Sequence, residues 1–430
     1  MSEYFLHHIW QFQYYTRMHL ETTEGEPLQI ITPGHHNSHA GPDFTSAKVQ
    51  IGFVKWIGSV EIHVRASEWY DHRHHLDAAY NNVVLHVVWQ DDKPVYRADG
   101  TRIPTLVLRD RVAESLIFEY QQLVNALQAV PCHGQLQGVP EHVRLQALDR
   151  ALTQRLEDKS QMVRTIYDAC GQDLEETCYQ LLSRNFGFKI NADPFQQLAR
   201  AVPYKMIRKH SDKPVQIEAL LFGQAGFLES RKDGPSDAYH QHLRREYGML
   251  ASKYALREAR LHPAQWRFMR LRPANFPTVR IAQLAALLHD RGNIFSRIIE
   301  APSTHDLRAI FSTDTSGYWK THYRFGKPAQ GHVAAIGTAS VDNILINTVA
   351  PLLVFYSQLK DDDIFTDRAI TLLEQIAPEQ NAITKLWAEQ DMKIHSAFDS
   401  QALLQLDQHS CRQRRCLDCA IGCYLLKPRP

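Results

Sequence analysis

Residues 40–69 read AGPDFTSAKVQIGFVKWIGSVEIHVRASEW, and this stretch decides the fold. Two strands are expected in it, over 43–51 and 57–65. Side chains alternate faces along a strand, so residues two apart point the same way. Glu61 and His63 therefore project together, while Val60, Ile62 and Val64 take the opposite, apolar face. Asp43 enters the first of the two strands. Brought alongside Glu61, it makes a pair of carboxylates that can share one hard divalent cation. A base, His63, stands next to that pair. This is the minimal equipment of a metal-dependent phosphodiesterase.

The flanking elements follow from periodicity. Over 3–18, Phe5, Ile9 and Phe12 recur at helical spacing, and Leu6 and Trp10 broaden the apolar stripe. A short strand is expected over 28–31, closed by the turn-forming Pro33-Gly34. Residues 70–80 read as a short helix or an ordered loop. The run NVVLHVVW over 82–89 is nearly all apolar, as in a strand buried on both faces. The order is thus helix, three strands, helix, strand.

That order, with an acid opening the second strand and Glu61-x-His63 on the third, resembles the core of the PD-(D/E)XK nuclease superfamily over residues 1–110. The segments GPDF, WIGSVEIH, SEWYDHRHH, YNNVVLHVVW and CLDCAIG also resemble those of an uncharacterised bacterial family, a domain of unknown function, across nearly the whole chain. The nuclease resemblance implies that Asp43 and Glu61 hold Mg²⁺ or Mn²⁺ with help from the Ile62 carbonyl, that His63 orients the attacking water, and that the substrate is nucleic acid. Glu3 matches an acid carried by some of these nucleases on their first helix, although a helix dipole favours an acid there in any case. His63 stands where the superfamily has lysine. Histidine can act as a base near neutral pH but is shorter and less reliably cationic.

Each of these residues also has a reading confined to the fold. Asp43 can shape a Pro-Asp turn, and Glu61 with His63 can be a polar pair on a half-buried strand. His72, His74, His75 and Asp77 extend the argument. Their imidazoles can bind zinc or touch a phosphate, and the expectation is a loop facing Glu61 in which His74 assists the chemistry. The alternative is a polar surface loop in a chain with 23 histidines. His35, His36, Asn37 and His39 make a weaker case, with Asn37 and Gly41 shaping the turn into the strand.

Four of the seven cysteines crowd the C-terminus as Cys411-x4-Cys416-x2-Cys419-x3-Cys423. Such thiolates can hold zinc or an iron–sulfur cluster. If the segment is helical, Cys416, Cys419 and Cys423 fall on one face and can be small core residues instead. Cys132, Cys170 and Cys178 read as ordinary core or surface residues. Arg412, Arg414, Arg415, Lys427 and Arg429 form a basic patch beside the tail cysteines.

Composition sets limits. The chain has 430 residues, 44 % hydrophobic and 22 % charged, as in a soluble globular protein. A net charge of +1 supplies no global attraction to nucleic acid. No signal-peptide pattern opens the chain, and the cysteine usage suits a reducing cytoplasm. The apolar segment 343–359 is interrupted by Asn347 and Pro351 and is expected to be a buried helix or helix pair, short of a membrane span. Helical periodicity dominates beyond residue 110, for example over 143–159, 174–183, 217–228, 280–288 and 364–373. Residues 301–342 read as a long irregular segment. Its aromatics Tyr318, Trp319, Tyr323 and Phe325 either stack on bases, with Lys320, His322 and Arg324 on phosphates, or anchor the loop to its own domain.

The sequence therefore predicts an α/β nuclease-like domain with an αβββαβ core over 1–130, a mainly helical domain over 131–400, and a cysteine-bearing tail over 401–430. The leading expectation is a metal-dependent nuclease. The alternatives are a catalytically silent nucleic-acid-binding or scaffold protein of the same fold, and a cysteine–metal sensor. Oligomeric state stays open.

Overall fold

The computed structural model describes residues 1–37, 39–229, 237–333 and 335–428. Helix α1 (Glu3–Phe12) comes first, capped by the Ser2 side chain, which accepts from the Phe5 amide. It ends earlier than the periodicity over 3–18 predicts, because Gln13 adopts the left-handed conformation. Phe5, Leu6, Ile9 and Trp10 are fully buried, and α1 packs on the long strand that carries the Glu61/His63 couplet. The Trp10 indole donates to the Pro33 carbonyl at 3.0 Å, which fixes the helix to the turn after the first strand.

The strands are β1 (Leu28–Thr32), β2 (His35–His36), β3 (Phe44–Ile51), β4 (Val54–Arg65), β5 (Val83–Gln90) and β6 (Thr105–Val107). They form one mixed sheet in the order β1-β3-β4-β5-β6, with β2 pairing β3. The β1, β3 and β4 pairings are antiparallel, whereas β4–β5 and β5–β6 are parallel. Helix α2 (Glu68–Asp71) and two 3₁₀ turns, His74–Leu76 and Ala78–Tyr80, make the crossover from β4 to β5. The observed order is helix, strands, short helix, strand.

The centre of the sheet is buried on both faces. Val60 and Ile62 are fully buried, as their alternation requires, but Glu61 and His63 on the opposite face are only 4 % and 1 % exposed. The half-solvated couplet of the sequence reading is thus a buried one. Strand β5 is covered on both sides, as its apolar run predicts. At its start, β3 bulges: the β3–β4 register shifts between Phe44 and Ala47, and Ser46 lies at φ +58°. Bulges re-aim neighbouring side chains, and this one sits beside Asp43. Gly58 lets β4 and β5 approach, since a Cβ there would meet the Asn82 carbonyl oxygen and Val84 Cγ1, each at 2.5 Å.

The chain divides into two compact units. The first comprises 1–148, 389–392 and 406–430, and the second 149–388 and 393–405. The first break falls inside the unbroken helix Glu141–Ala169 and not in the 131–140 connection. Residues 131–140 instead fold with 389–392, where the Gly134 amide donates to Gln390 Oε1 and Gln137 Nε2 to Asp391 Oδ2. The tail expected over 401–430 is divided: 401–405 belong to the second unit and 406–430 to the first, where the Arg414 guanidinium donates to the Gln128 carbonyl at 3.0 Å.

The second unit is mostly helical, and the helices expected from periodicity are present, among them Leu174–Phe186, Pro214–Gln224, Pro277–Asp290 and Ile364–Glu374. The segment 301–342 is not irregular throughout. It contains the helix Thr304–Phe311, a 3₁₀ turn at Gly317–Lys320 and a small hairpin. Its aromatics pack inward: Trp319 is fully buried, stacks on Phe222 and donates to Glu218 Oε2 at 3.1 Å. Tyr318 stacks on Tyr239, and the Arg324 guanidinium lies over Phe268 and Phe276. These contacts favour anchoring over base stacking. The run Thr338–Lys360 is long and apolar enough to span a membrane, contrary to the sequence reading, yet 67 % of its most apolar window is buried in the protein. A π turn at Leu345–Val349 precedes Pro351, which has no N–H to continue the helical ladder.

Two stability predictions follow from these contacts. Gly58→Ala should lower stability by about 1–3 kcal/mol through overpacking between β4 and β5, read as a fall in the chemical-denaturation midpoint; an unchanged midpoint would refute the close approach. Burial raises the Glu218 pKa, against the hydrogen bonds of Tyr239, Ser316 and Trp319. A carboxyl whose folded pKa is raised binds its proton more tightly in the native state, so its contribution declines as pH rises above the unfolded value of 4.5. Glu218→Gln should therefore flatten the decline of Tm between pH 5 and 8. Identical slopes in the two proteins would show that Glu218 is ionised at no cost.

Candidate functional site

The site begins with two reciprocal hydrogen bonds. The Asp43 amide donates to Glu61 Oε2 at 3.1 Å, and the Ile62 amide donates to Asp43 Oδ2 at 2.9 Å. Each acid thus caps the backbone beside the other. The loop before β3 prepares this arrangement: Asn37 Nδ2 donates to the Pro42 carbonyl at 3.0 Å, its amide donates to the Asp43 carbonyl at 2.7 Å, and Gly41 takes φ +104°. Helix α1 adds Glu3 and His7, one turn apart on the same face. His7 Nε2 lies 3.2 Å from Asp43 Oδ2 and 3.9 Å from Glu3 Oε1. One donor atom from each of Glu3, His7 and Asp43 falls within 4.8 Å of the other two.

Histidines close the other side of Glu61. His74 Nε2 is 3.1 Å and His63 Nε2 3.7 Å from Glu61 Oε1. His63 Nε2 is also 3.2 Å from His72 Nδ1, while His63 Nδ1 shares a hydrogen with His86 Nε2 at 2.8 Å. Donor atoms of His63, His72 and His74 again lie within 4.8 Å of one another. Between His72 and His74 the chain passes through Arg73 in the left-handed conformation, φ +62°. That turn lets residues two apart face the same point. The His74 ring stacks on Tyr80 at 3.8 Å and meets the Trp69 indole edge-on at 5.4 Å.

The electrostatics reflect burial first. Burial raises the Glu61 carboxyl above its usual range and the Asp43 charge adds to this, while His74 opposes it. Burial raises Glu3 as well, again with Asp43 contributing. His63 is pushed down to about 2 by burial, reinforced by His86, His74, His72 and His7, so its ring is neutral. Burial likewise pushes His86 down to about 3. His7 differs. Burial alone would lower it, but Asp43, with Glu3 and Glu61 behind it, raises it above the usual value.

The residues singled out from sequence, Asp43, Glu61, His63 and His74, thus come together, and Glu3 and His72 join them. Ile62 reaches the site through its amide. His75 turns instead to the Tyr70 ring, and Asp77 caps the Ala79 amide. His36 packs against His7 and Phe44. Two members went unread in the sequence. His7 could have been found by its i, i+4 spacing from Glu3, and His86 as the single polar residue in the apolar run of β5.

The C-terminal cysteines lie on a broken path. Cys411 ends a π turn, Cys416–Asp418 is a 3₁₀ turn, and Cys419 caps the helix Ala420–Leu425, so the single helical face considered for Cys416, Cys419 and Cys423 does not form. All seven cysteines are thiols. Cys132 lies within electrostatic range of Cys411, Cys416 and Cys419, and burial pushes its thiol up to about 12 and that of Cys416 to about 11. Cys423 Sγ donates to the Leu417 carbonyl. In the basic patch, Arg412 pairs with Asp407 at 2.7 Å and Arg414 holds Gln128, leaving Arg415 and Lys427 exposed, while Arg429 lies outside the described residues.

No curated protein and no solved structure matches the chain. The family described as "Protein of unknown function (DUF2851)" matches residues 3–382, and the chain belongs to that family.

Proposed function

We propose that the first unit is a metal-dependent phosphodiester hydrolase acting on nucleic acid, of the PD-(D/E)XK type. The observation that carries this reading is the pairing of Asp43 with Glu61 across β3 and β4, in an order of helix, four strands (β2 only two residues long), short helix and strand. The donor set fits a divalent cation. His7 Nε2 and His74 Nε2 are buried, each close to a carboxylate oxygen, yet neither contact has hydrogen-bond geometry. Carboxylates crowded together in a buried site need a cation or protons to offset their repulsion.

In this reading Asp43 and Glu61 would hold Mg²⁺ or Mn²⁺, with Glu3 and His7 completing the set. When bound, such an ion polarises the phosphoryl oxygen and lowers the pKa of a coordinated water. His63, neutral and fully enclosed, cannot supply the positive charge of a lysine. Its part is to hold the acids through Glu61 and His72. His74 Nε2, at 3.1 Å from Glu61 Oε1, holds that carboxylate in place. The second reading, a nucleic-acid-binding protein without catalysis, is favoured by one feature, the loss of the lysine charge at His63.

Calorimetric titration with Mn²⁺ should show binding to the wild type and its loss in the Asp43→Ala/Glu61→Ala double variant; equal binding by both would return the acids to a purely structural role. With Mg²⁺ or Mn²⁺, the wild type should cleave DNA or RNA, and Asp43→Asn should slow cleavage at least about a hundredfold. If neither protein cleaves any single- or double-stranded substrate, and both bind nucleic acid with the same salt dependence, the silent reading replaces the catalytic one.

A further inference from the structure

Glu61 Oε1 and the three imidazole nitrogens near it make a second donor set, offset from Asp43. A zinc-class ion with bonds of about 2.0–2.1 Å places tetrahedral ligands about 3.3 Å apart. The separations here are 3.1 Å for His74 Nε2 to Glu61 Oε1, 3.2 Å for His63 Nε2 to His72 Nδ1, and 3.7 Å for His63 Nε2 to Glu61 Oε1. They bracket that edge length. The nitrogens of all three histidines lie within 4.8 Å of one another, and Glu61 Oε1 lies beside two of them, those of His63 and His74.

The surroundings prepare these atoms as ligands. A metal-bound histidine donates its other ring N–H to an acceptor that fixes the tautomer. His63 Nδ1 lies 2.8 Å from His86 Nε2, and the tautomer in which His63 donates to it leaves the Nε2 lone pair of His63 facing the group. His63 is 1 % exposed and Glu61 is 4 % exposed, so water does not satisfy them. His74 Nε2 is buried with no hydrogen-bond partner. Tyr80 and Trp69 lock the His74 ring from two sides. Three imidazoles with a carboxylate beside them suit borderline transition ions and not Mg²⁺, which prefers oxygen donors in an octahedron.

We propose that His63, His72 and His74 hold a zinc-class divalent cation, separate from the cation position at Asp43, with Glu61 close to His63 and His74 and hydrogen-bonded to the Asp43 amide. His86 is its positioning residue. The site rests on the hydrolase reading only for its use: an ion here would supply, next to Asp43, the positive charge that a lysine carries in the resembling nucleases. Its existence stands on the donor geometry alone.

The test uses chelator-stripped full-length protein titrated with Co²⁺ and Zn²⁺, followed by visible absorption and calorimetry. The wild type should give the d–d bands of tetrahedral cobalt with nitrogen and oxygen ligands, without the thiolate charge transfer that cysteine ligation produces. The His72→Ala/His74→Ala variant should lose those bands and one equivalent of zinc, and Asp43→Ala should keep both. His86→Phe should weaken zinc binding about 10–100-fold. A wild type without imidazole-bound cobalt, or a double variant with unchanged spectrum and stoichiometry, would overturn the site. If the double variant does not fold, the wild-type spectrum and His86→Phe decide. Zinc bound at the histidines without cleavage of any DNA or RNA sinks the hydrolase reading alone. Manganese-dependent cleavage by a protein whose histidines take no cobalt sinks the present one alone.

Discussion

The crossed pair of hydrogen bonds between Asp43 and residues 61–62 is the constraint on which the first unit depends. Both acceptors are carboxylates, and hydrogen bonds to charged groups contribute about 1.5–3 kcal/mol each. They hold two acids side by side, Glu61 buried and Asp43 half-buried, against the cost of burying charge. The neighbouring features serve that arrangement. The bulge at Ser46 aims the chain at Asp43, Gly58 lets β5 close on β4, and Trp10 ties α1 to Pro33 so that His7 meets Asp43. A fold designed only for stability would place apolar side chains here, since replacing buried ion pairs by well-packed hydrophobic residues is often neutral or stabilising.

Much of this unit was legible because strand periodicity is short and strict. Phe44–Ile51, Val54–Arg65 and Val83–Gln90 follow from alternation or from an unbroken apolar run, and the couplet's shared direction follows from a period of two. What alternation could not reveal was the burial of the couplet's face. That depends on α1 and on the loop of His72 and His74, whose approach is set by tertiary packing and by one left-handed residue, Arg73. His7 and His86 were missed for the same reason. A histidine on an amphipathic helix or within a buried strand reads as packing until its partners are known. In the tail, helical spacing grouped Cys416 with Cys423, but the chain turns at Cys416–Asp418, where Gly422 lies so close to the Cys416 carbonyl that a Cβ would meet it at 2.0 Å. The juxtaposition of Cys132 with the tail thiols spans most of the chain, and no local pattern encodes it. In the second unit, the aromatics at 318–325 pack on their own helices, since a loop of that length needs internal anchors to hold one shape.

Charge balance around Glu61 decides how the site can work. Three acids, Glu3, Asp43 and Glu61, meet five histidines, but burial keeps His63 and His86 neutral and leaves His7 as the ring whose protonation the acids favour. The raised pKa values of Glu3 and Glu61 express burial and the crowding of acids as a tendency to bind protons. A divalent cation answers the same need more completely, because it neutralises two charges at once and uses the lone pairs that protons would occupy. In the proposed hydrolase, the deep burial that bars His63 from standing in for lysine would make its ring a good neutral ligand. The absent lysine and the clustered histidines would then be two sides of one physical change, in which positive charge is recruited from solution and not carried on the chain.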